Sequence, residues 1–156
     1  MSSNNKSNNK QIIFYNYDHC PFCIRVQMLL GRKKIPYKTI TLLYDDIETP
    51  TKIIGKKMLP IIIDKDIKSP NHALAESLDI IDYLDNLDNK PILNKSKKYD
   101  MPDRINTALS GLRLYNSKLY KARVVQIGLD EFKTEGAIKY FENKLYKSYG
   151  INFEQS

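Results

Sequence analysis

The sequence predicts an α/β protein: a mixed four-stranded sheet with helices on both faces over residues 12–93, followed by a shortened all-helical C-terminal part over residues 104–156. Three observations predict it. The apolar run Ile12-Ile13-Phe14-Tyr15 is followed by Cys20-Pro21-Phe22-Cys23, which opens a helical pattern. The segments up to Leu93 read in the order βαβ, α, ββ, α. From residue 104 onward only helical periodicity occurs.

The elements follow in order. A strand covers 12–16, and a helix covers about 21–33, with Pro21 at its first position, where a missing N–H costs nothing, and Gly31 near its end. Tyr37 to Leu42 alternates apolar and polar residues and is rich in β-branched ones, so it reads as a second strand. Asp45 to Glu48 form an acidic loop; Thr49 then caps a short helix with Pro50 at its first position, ending near Gly55. Leu59-Pro60-Ile61-Ile62-Ile63 is a wholly apolar strand suited to the middle of a sheet. A turn over Asp64–Asn71 leads to a short fourth strand around His72–Leu74. Glu76-Ser77 precede a helix whose expected apolar stripe is Leu78, Ile81, Leu84 and Leu87. This order is that of a thioredoxin-like fold. Residues 94–103 read as a charged linker, 104–125 and 131–147 as helices with a break near Gly128, and 1–11 as a disordered polar tail.

Composition excludes several classes of function. The chain has 156 residues and a net charge of +7, with only two cysteines, three positions apart, so no disulfide framework ties distant segments. That pattern suits a reducing compartment, and residues 1–11 lack the apolar core of a secretory signal, so a cytoplasmic location is expected. No apolar run is long enough to cross a bilayer, and no membrane role is expected. Residues 11–93 hold eleven basic and eleven acidic residues, whereas 94–156 hold twelve and seven. In that second part the basic residues alternate with Asp, Glu and Tyr, which reads as a solvated basic face rather than a nucleic-acid surface.

The cysteine pair carries the chemistry. The thiolate is the nucleophile, and a cysteine at a helix N-terminus meets unpaired N–H groups and the positive end of the helix dipole, which lower its pKa. Cys20 stands at that position, and Cys23, one turn later, lies on the same side and deeper. One attacking and one resolving thiol are therefore expected, the arrangement of a thiol–disulfide oxidoreductase. A structural zinc site would need four ligands, and the chain offers two cysteines with His19 and His72, His19 being directly adjacent to Cys20. No metal is expected, and His19 is read as a loop residue that tunes Cys20.

Tyr17-Asp18-His19-Cys20-Pro21-Phe22-Cys23, Leu59-Pro60, Ala75-Glu76-Ser77-Leu78-Asp79-Ile80-Ile81, Pro91-Ile92-Leu93, Asp130-Glu131-Phe132 and Lys139-Tyr140-Phe141 together resemble the two-domain bacterial glutaredoxins of the glutaredoxin 2 type, which have the form of glutathione transferases. The resemblance implies glutathione as co-substrate, with glutathionylated or disulfide-containing proteins as partners. By position it implies Cys20 as nucleophile and Cys23 as resolving thiol. Pro60 would be a cis proline, with the backbone of Leu59 pairing with the cysteinyl part of glutathione. Glu76 and Ser77 would receive its γ-glutamyl end, although a plain helix cap explains them as well. Phe22 would be an aromatic wall where the family usually has tyrosine, and Lys56 or Lys57 would meet the glycine carboxylate. Two further departures stand out: extra residues around Asp66–Asn71, and a helical part shorter than the family's. The second implies truncation and leaves apolar faces (Ile105, Leu109, Leu112, Leu119, Val124; Phe132, Ile138, Phe141, Leu145) exposed for self-association.

Two alternatives use the same residues. A glutathione transferase or dehydroascorbate-reductase-like enzyme would need Cys20 and an apolar second-substrate pocket between the two parts, which a short C-terminal part undercuts. A non-catalytic binding module would keep the fold with an ordinary Cys20 thiol.

Overall fold

The computed structural model describes residues 11–93 and 123–150, together with residues 107, 110, 112, 120, 121 and 153. The expected tail up to residue 10, the expected linker 94–103 and most of the expected helix 104–125 lie outside the described residues. Four strands, β1 (Ile12–Asn16), β2 (Tyr37–Thr41), β3 (Ile61–Ile63) and β4 (Ala73–Ala75), form one sheet in the order β2-β1-β3-β4. β1 pairs parallel with β2, with Ile12 opposite Tyr37, and antiparallel with β3, with Phe14 opposite Ile62; β3 pairs antiparallel with β4. The all-apolar run thus lies inside the sheet, as its composition requires.

Helix α1 (Pro21–Arg32) and helix α3 (Ser77–Asn86) pack together on one face. Their Val26, Leu30, Ile80 and Leu84 side chains meet Ile12, Phe14 and Ile62 of the sheet, all fully buried. The buried stripe of α3 is Ile80 and Leu84, with Ser77, rather than the expected row beginning at Leu78, which is 66% exposed. The reason is geometric: at 3.6 residues per turn, a strict three-residue spacing rotates steadily off one face, so Leu78 and Leu87 point to opposite sides.

Helix α2 (Glu48–Ile54) begins before Thr49, which therefore is not its cap. Asp46 does the capping: its Oδ1 accepts the Thr49 N–H at 2.9 Å. Gly55 ends the helix in the left-handed region at φ 79°, which a residue without Cβ adopts at no steric cost.

The opposite face of the sheet carries the helical part. Strand parity puts Tyr15, Ile40 and Leu42 on that face, where they join Tyr17, Tyr44, Val124, Phe132, Ala137, Phe141 and Leu145 in a second apolar cluster. A 3-10 turn, Asp130–Phe132, leads into α4 (Glu135–Tyr149), which starts later than the sequence predicts because Thr134 caps it, accepting the Ala137 N–H at 3.2 Å. Gly136 permits the approach: a Cβ there would lie 2.7 Å from Asp45 Oδ2.

The expectation that the second helical face stands exposed is corrected by this packing. Val124, Phe132, Phe141 and Leu145 are buried, because Tyr17 and Tyr44 supply the apolar cover. Of the other residues expected there, Leu112 is exposed and Ile138 is half-buried against the cluster, while Ile105, Leu109 and Leu119 lie outside the described residues. The face of Phe132, Phe141 and Leu145 is thus taken by an internal contact, and of the other face only Val124 is buried among the described residues.

Among the described residues no helix is long and apolar enough to cross a membrane. Replacing the buried Phe141 by Ala should cost about 3–5 kcal/mol of stability, read from the midpoint of urea unfolding. A loss below about 1 kcal/mol would show that α4 is not docked against the sheet.

Candidate active site

β1 ends at Asn16, and the loop that follows delivers Cys20 to the N-cap position of α1, with Pro21 as the first helical residue. The Cys20 N–H bonds to Tyr17 O at 3.2 Å, and Cys20 O accepts the N–H groups of Cys23 (3.0 Å) and Ile24 (2.9 Å), so the turn is fixed on both sides. No side chain caps α1. Cys20 is half-buried, whereas Cys23 is 1% exposed and its Sγ accepts the Tyr17 N–H at 3.5 Å.

The two thiols titrate apart. A hydrogen bond from the Cys23 thiol, then the N–H groups of Cys23 and Phe22, then the nearby His19, outweigh burial and draw the Cys20 thiol down to about 6. Cys23 is pushed up strongly, first by its bond to Cys20, then by burial and by the charge on Cys20. The helix N-terminus therefore stabilises one thiolate and the depth of the pair keeps the second thiol protonated.

His19 is anchored rather than free. Its N–H bonds to Glu131 Oε1 at 3.0 Å, its ring Nδ1 lies 2.7 Å from the same oxygen, and the Tyr120 hydroxyl donates to its carbonyl at 3.3 Å. The ring stacks on Tyr17 at 5.8 Å between centroids and contacts Phe132 and Phe141. Glu131 is wholly buried. Burial works against its charge, but the two bonds from His19 hold its carboxyl below the usual carboxylate range. Glu131 O also accepts the Tyr44 N–H at 2.9 Å.

Sequence reasoning did not single out Glu131 or Tyr44 as site residues. The signal available was weak: an acidic residue between Asp130 and Phe132, 112 positions from its partner. Only the docking of the helical part brings them to the cysteine loop.

Two recesses meet at Phe22, Met58 and Leu59, and Cys20 borders the second of them. One, of about 550 Å³, runs along Phe22, Leu59, Pro60, Glu76 and Ser77, so the structure gathers these sequence-selected positions in one groove, with Arg25 and Asp79 beside them. The Leu59–Pro60 peptide bond is cis. Glu76 holds φ 69°, a conformation that costs a residue with a Cβ about 1–3 kcal/mol. It occupies the N-cap position of α3, yet no side chain caps that helix, so a plain cap does not explain Glu76 and Ser77. The first N–H groups of α3 thus lack a side-chain acceptor at the groove.

The second recess, of about 520 Å³, is bounded by Cys20, Tyr44, Lys57, Tyr120, Phe141 and Lys144, among others. A short helical part is expected to undercut such a recess, yet α4 and the turn of helix holding Tyr120 and Lys121 wall this one. The two candidate lysines separate. Lys57 faces this second recess, with its ammonium group 3.6 Å from the Tyr140 ring centre, whereas Lys56 is exposed and paired to Glu76 at 3.5 Å. His72 is not brought to the cysteines; its Nδ1 lies 3.0 Å from Ile67 O.

Residues 14–92 match the family of the glutathione S-transferase N-terminal domain. The chain belongs to this family. It is similar to glutaredoxin 2 of Escherichia coli (strain K12), 39% identical over 136 residues, which cover 87% of this chain and 60% of that protein. The chain thus spans about 60% of the length of the curated relatives it matches. Among solved structures, glutaredoxin 2 from Salmonella typhimurium in complex with glutathione superposes with a TM-score of 0.78 at 37% identity, covering 94% of this chain and 63% of that one. A glutathione transferase from Phanerochaete chrysosporium, at 20% identity and a TM-score of 0.66 over 94% of this chain and 64% of that one, shares the fold. The family membership and these neighbours carry the thioredoxin-like sheet with an appended helical part.

A pH titration of thiolate ultraviolet absorbance should show one step near pH 6, assigned to Cys20 by its loss in Cys20→Ser, with Cys23 silent until far more alkaline pH. A single step near the free-thiol value of about 8.5 would contradict the geometry described.

Proposed function

We propose that the protein is a glutathione-dependent thiol–disulfide oxidoreductase, a glutaredoxin, that reduces glutathione mixed disulfides and protein disulfides through Cys20 and Cys23. The single observation that carries this reading is the unequal pair: an accessible thiol at a helix N-terminus, held as thiolate near neutral pH, over a buried thiol one turn away. The likeness to a glutaredoxin 2 solved with glutathione supports glutathione as the co-substrate.

In this reading the γ-glutamyl carboxylate lies against the N–H groups that open α3, with Glu76 available to the γ-glutamyl ammonium group. The backbone of Leu59, which borders both recesses, takes the cysteinyl unit, Phe22 forms a wall, and Lys57 takes the glycine carboxylate. Cys20 thiolate attacks the glutathione sulfur of a mixed disulfide, and the target cysteine leaves as a thiolate that takes a proton from water. A second glutathione thiolate then attacks the Cys20–glutathione disulfide, releasing oxidised glutathione and restoring Cys20. With a protein disulfide, Cys23 gives up its proton and displaces the target from Cys20, leaving a Cys20–Cys23 disulfide that glutathione reduces. His19 acts on Cys20 as a fixed polar neighbour, because its Nδ1 is committed to Glu131. A cytoplasmic site of action, where glutathione keeps thiols reduced, fits this chemistry.

The transferase alternative has one observation in its favour, the apolar second recess beside Cys20. It leaves Cys23, buried and bonded to Cys20, without a task. Cys20→Ser should abolish glutathione-coupled reduction of a small mixed disulfide, while Cys23→Ser should lose protein-disulfide reduction and keep most of the deglutathionylation rate. The rate should fall about tenfold for each pH unit below about 6, as the Cys20 thiolate is protonated, and level off above it. Strong conjugation of an electrophile with poor disulfide reduction would overturn the assignment in favour of a transferase.

A further inference from the structure

The two recesses that share Phe22, Met58 and Leu59 differ in charge. The glutathione-side groove mixes Arg25 with Glu76 and Asp79. The recess toward the helical part carries Lys57, Lys121 and Lys144 and no carboxylate, on a wall that is largely aromatic. Among the described residues, none of these three lysines forms an ion pair with a carboxylate. They lie against rings instead. Lys121 Nζ sits 3.9 Å over the Tyr149 ring centre, and Lys144 Nζ donates to the Tyr44 hydroxyl at 3.1 Å. Lys57 and Lys144 flank one ring, that of Tyr44, at 5.2 and 5.4 Å from its centre.

Burial, and then the charge of Lys144, pull Lys57 down to about 8, against a weaker opposite effect of Asp45 and Asp46. Positive charges gathered in a partly dry recess repel one another, and an anion placed among them relieves that repulsion.

We propose that this recess receives the protein half of the mixed disulfide and selects target cysteines flanked by acidic and aromatic residues. The proposal rests on the reading of Cys20 as a glutathione-dependent nucleophile. When Cys20 attacks the glutathione sulfur, the bond to the target sulfur breaks and the target departs as a thiolate. With the γ-glutamyl end of glutathione in the groove of Glu76 and Ser77 and its glycine end at Lys57, the departing chain is left the remainder of the recess beside Cys20, toward Lys121 and Lys144. Lys57 is taken by the glycine carboxylate of glutathione, so Lys121 and Lys144 are the cations left for the target. Tyr44, Phe141 and Tyr149 offer ring faces and edges to an aromatic neighbour of the target cysteine.

The test uses the whole chain and two glutathionylated peptides, identical except that the residues flanking the cysteine are Glu and Phe in one and Lys and Phe in the other. At low ionic strength kcat/KM should favour the acidic peptide by about tenfold or more, mainly through KM. The gap should close toward about twofold in 1 M salt, where screening acts within about 3 Å. It should also shrink in the Lys121→Gln, Lys144→Gln double variant. Equal turnover of the two peptides by the wild-type chain, or a preference unmoved by both salt and the double variant, overturns the proposal. The wild-type comparison needs no variant to fold. The mixed disulfide of glutathione and β-mercaptoethanol separates the two levels. If it is reduced while the peptides are indistinguishable, only the lysine recess is refuted; if it too is not reduced, the underlying glutaredoxin reading falls with it.

Discussion

A buried carboxylate joins the halves of this molecule. Glu131 has no exposed surface, and one of its oxygens holds both the backbone and the ring of His19, the residue before Cys20. A charge in such a place is tolerated only with partners, and stripping one partner from a buried pair costs about 3–5 kcal/mol. The Tyr44 N–H on Glu131 O and the rings of Tyr17, Tyr44, Phe132 and Phe141 close around the same point. The helical part therefore cannot move away from the cysteine loop without leaving that charge unpaired. Cys20 owes its setting to contacts 112 positions downstream as well as to its own helix.

The chemistry is divided between depth and surface. At depth, Cys23 is held protonated and close; at the surface, Cys20 sits where α1 begins and borders the second recess, two residues from the Phe22 that both recesses share. The sheet provides the groove of Leu59, Pro60, Glu76 and Ser77, and α4 provides most of the opposite wall. The thiolate borders a basic, aromatic recess, and Phe22 beside it also borders a groove of mixed charge and similar volume. Exchange runs in line, with the attacked sulfur between Cys20 Sγ and the departing sulfur, so room for the departing chain beyond the glutathione sulfur is part of the site.

Much of this was legible in the residues, for reasons that differ by element. The strand–Cys-Pro-Phe-Cys–helix unit was readable because proline, the apolar run and the cysteine spacing are all local signals. The inner place of β3 followed from its all-apolar run, whereas the full strand order did not. Boundaries failed where a capping side chain made the decision: Asp46 in place of Thr49 at α2, and Thr134 at α4. The α3 stripe failed because a three-residue spacing approximates a helix only over short stretches. What Glu131 and Tyr44 hold, and what covers the apolar face of α4, could not be read for a different reason. Each depends on a partner far away in sequence, and an acidic residue or an apolar helical face does not announce what covers it.

The tie between Glu131 and the cysteine loop is tested most directly by hydrogen exchange of the His19 amide in the native protein. The expected result is protection approaching that of the core amides of β1, lost in Glu131→Ala. A His19 amide that exchanges in the wild-type protein as fast as an open loop residue would contradict it.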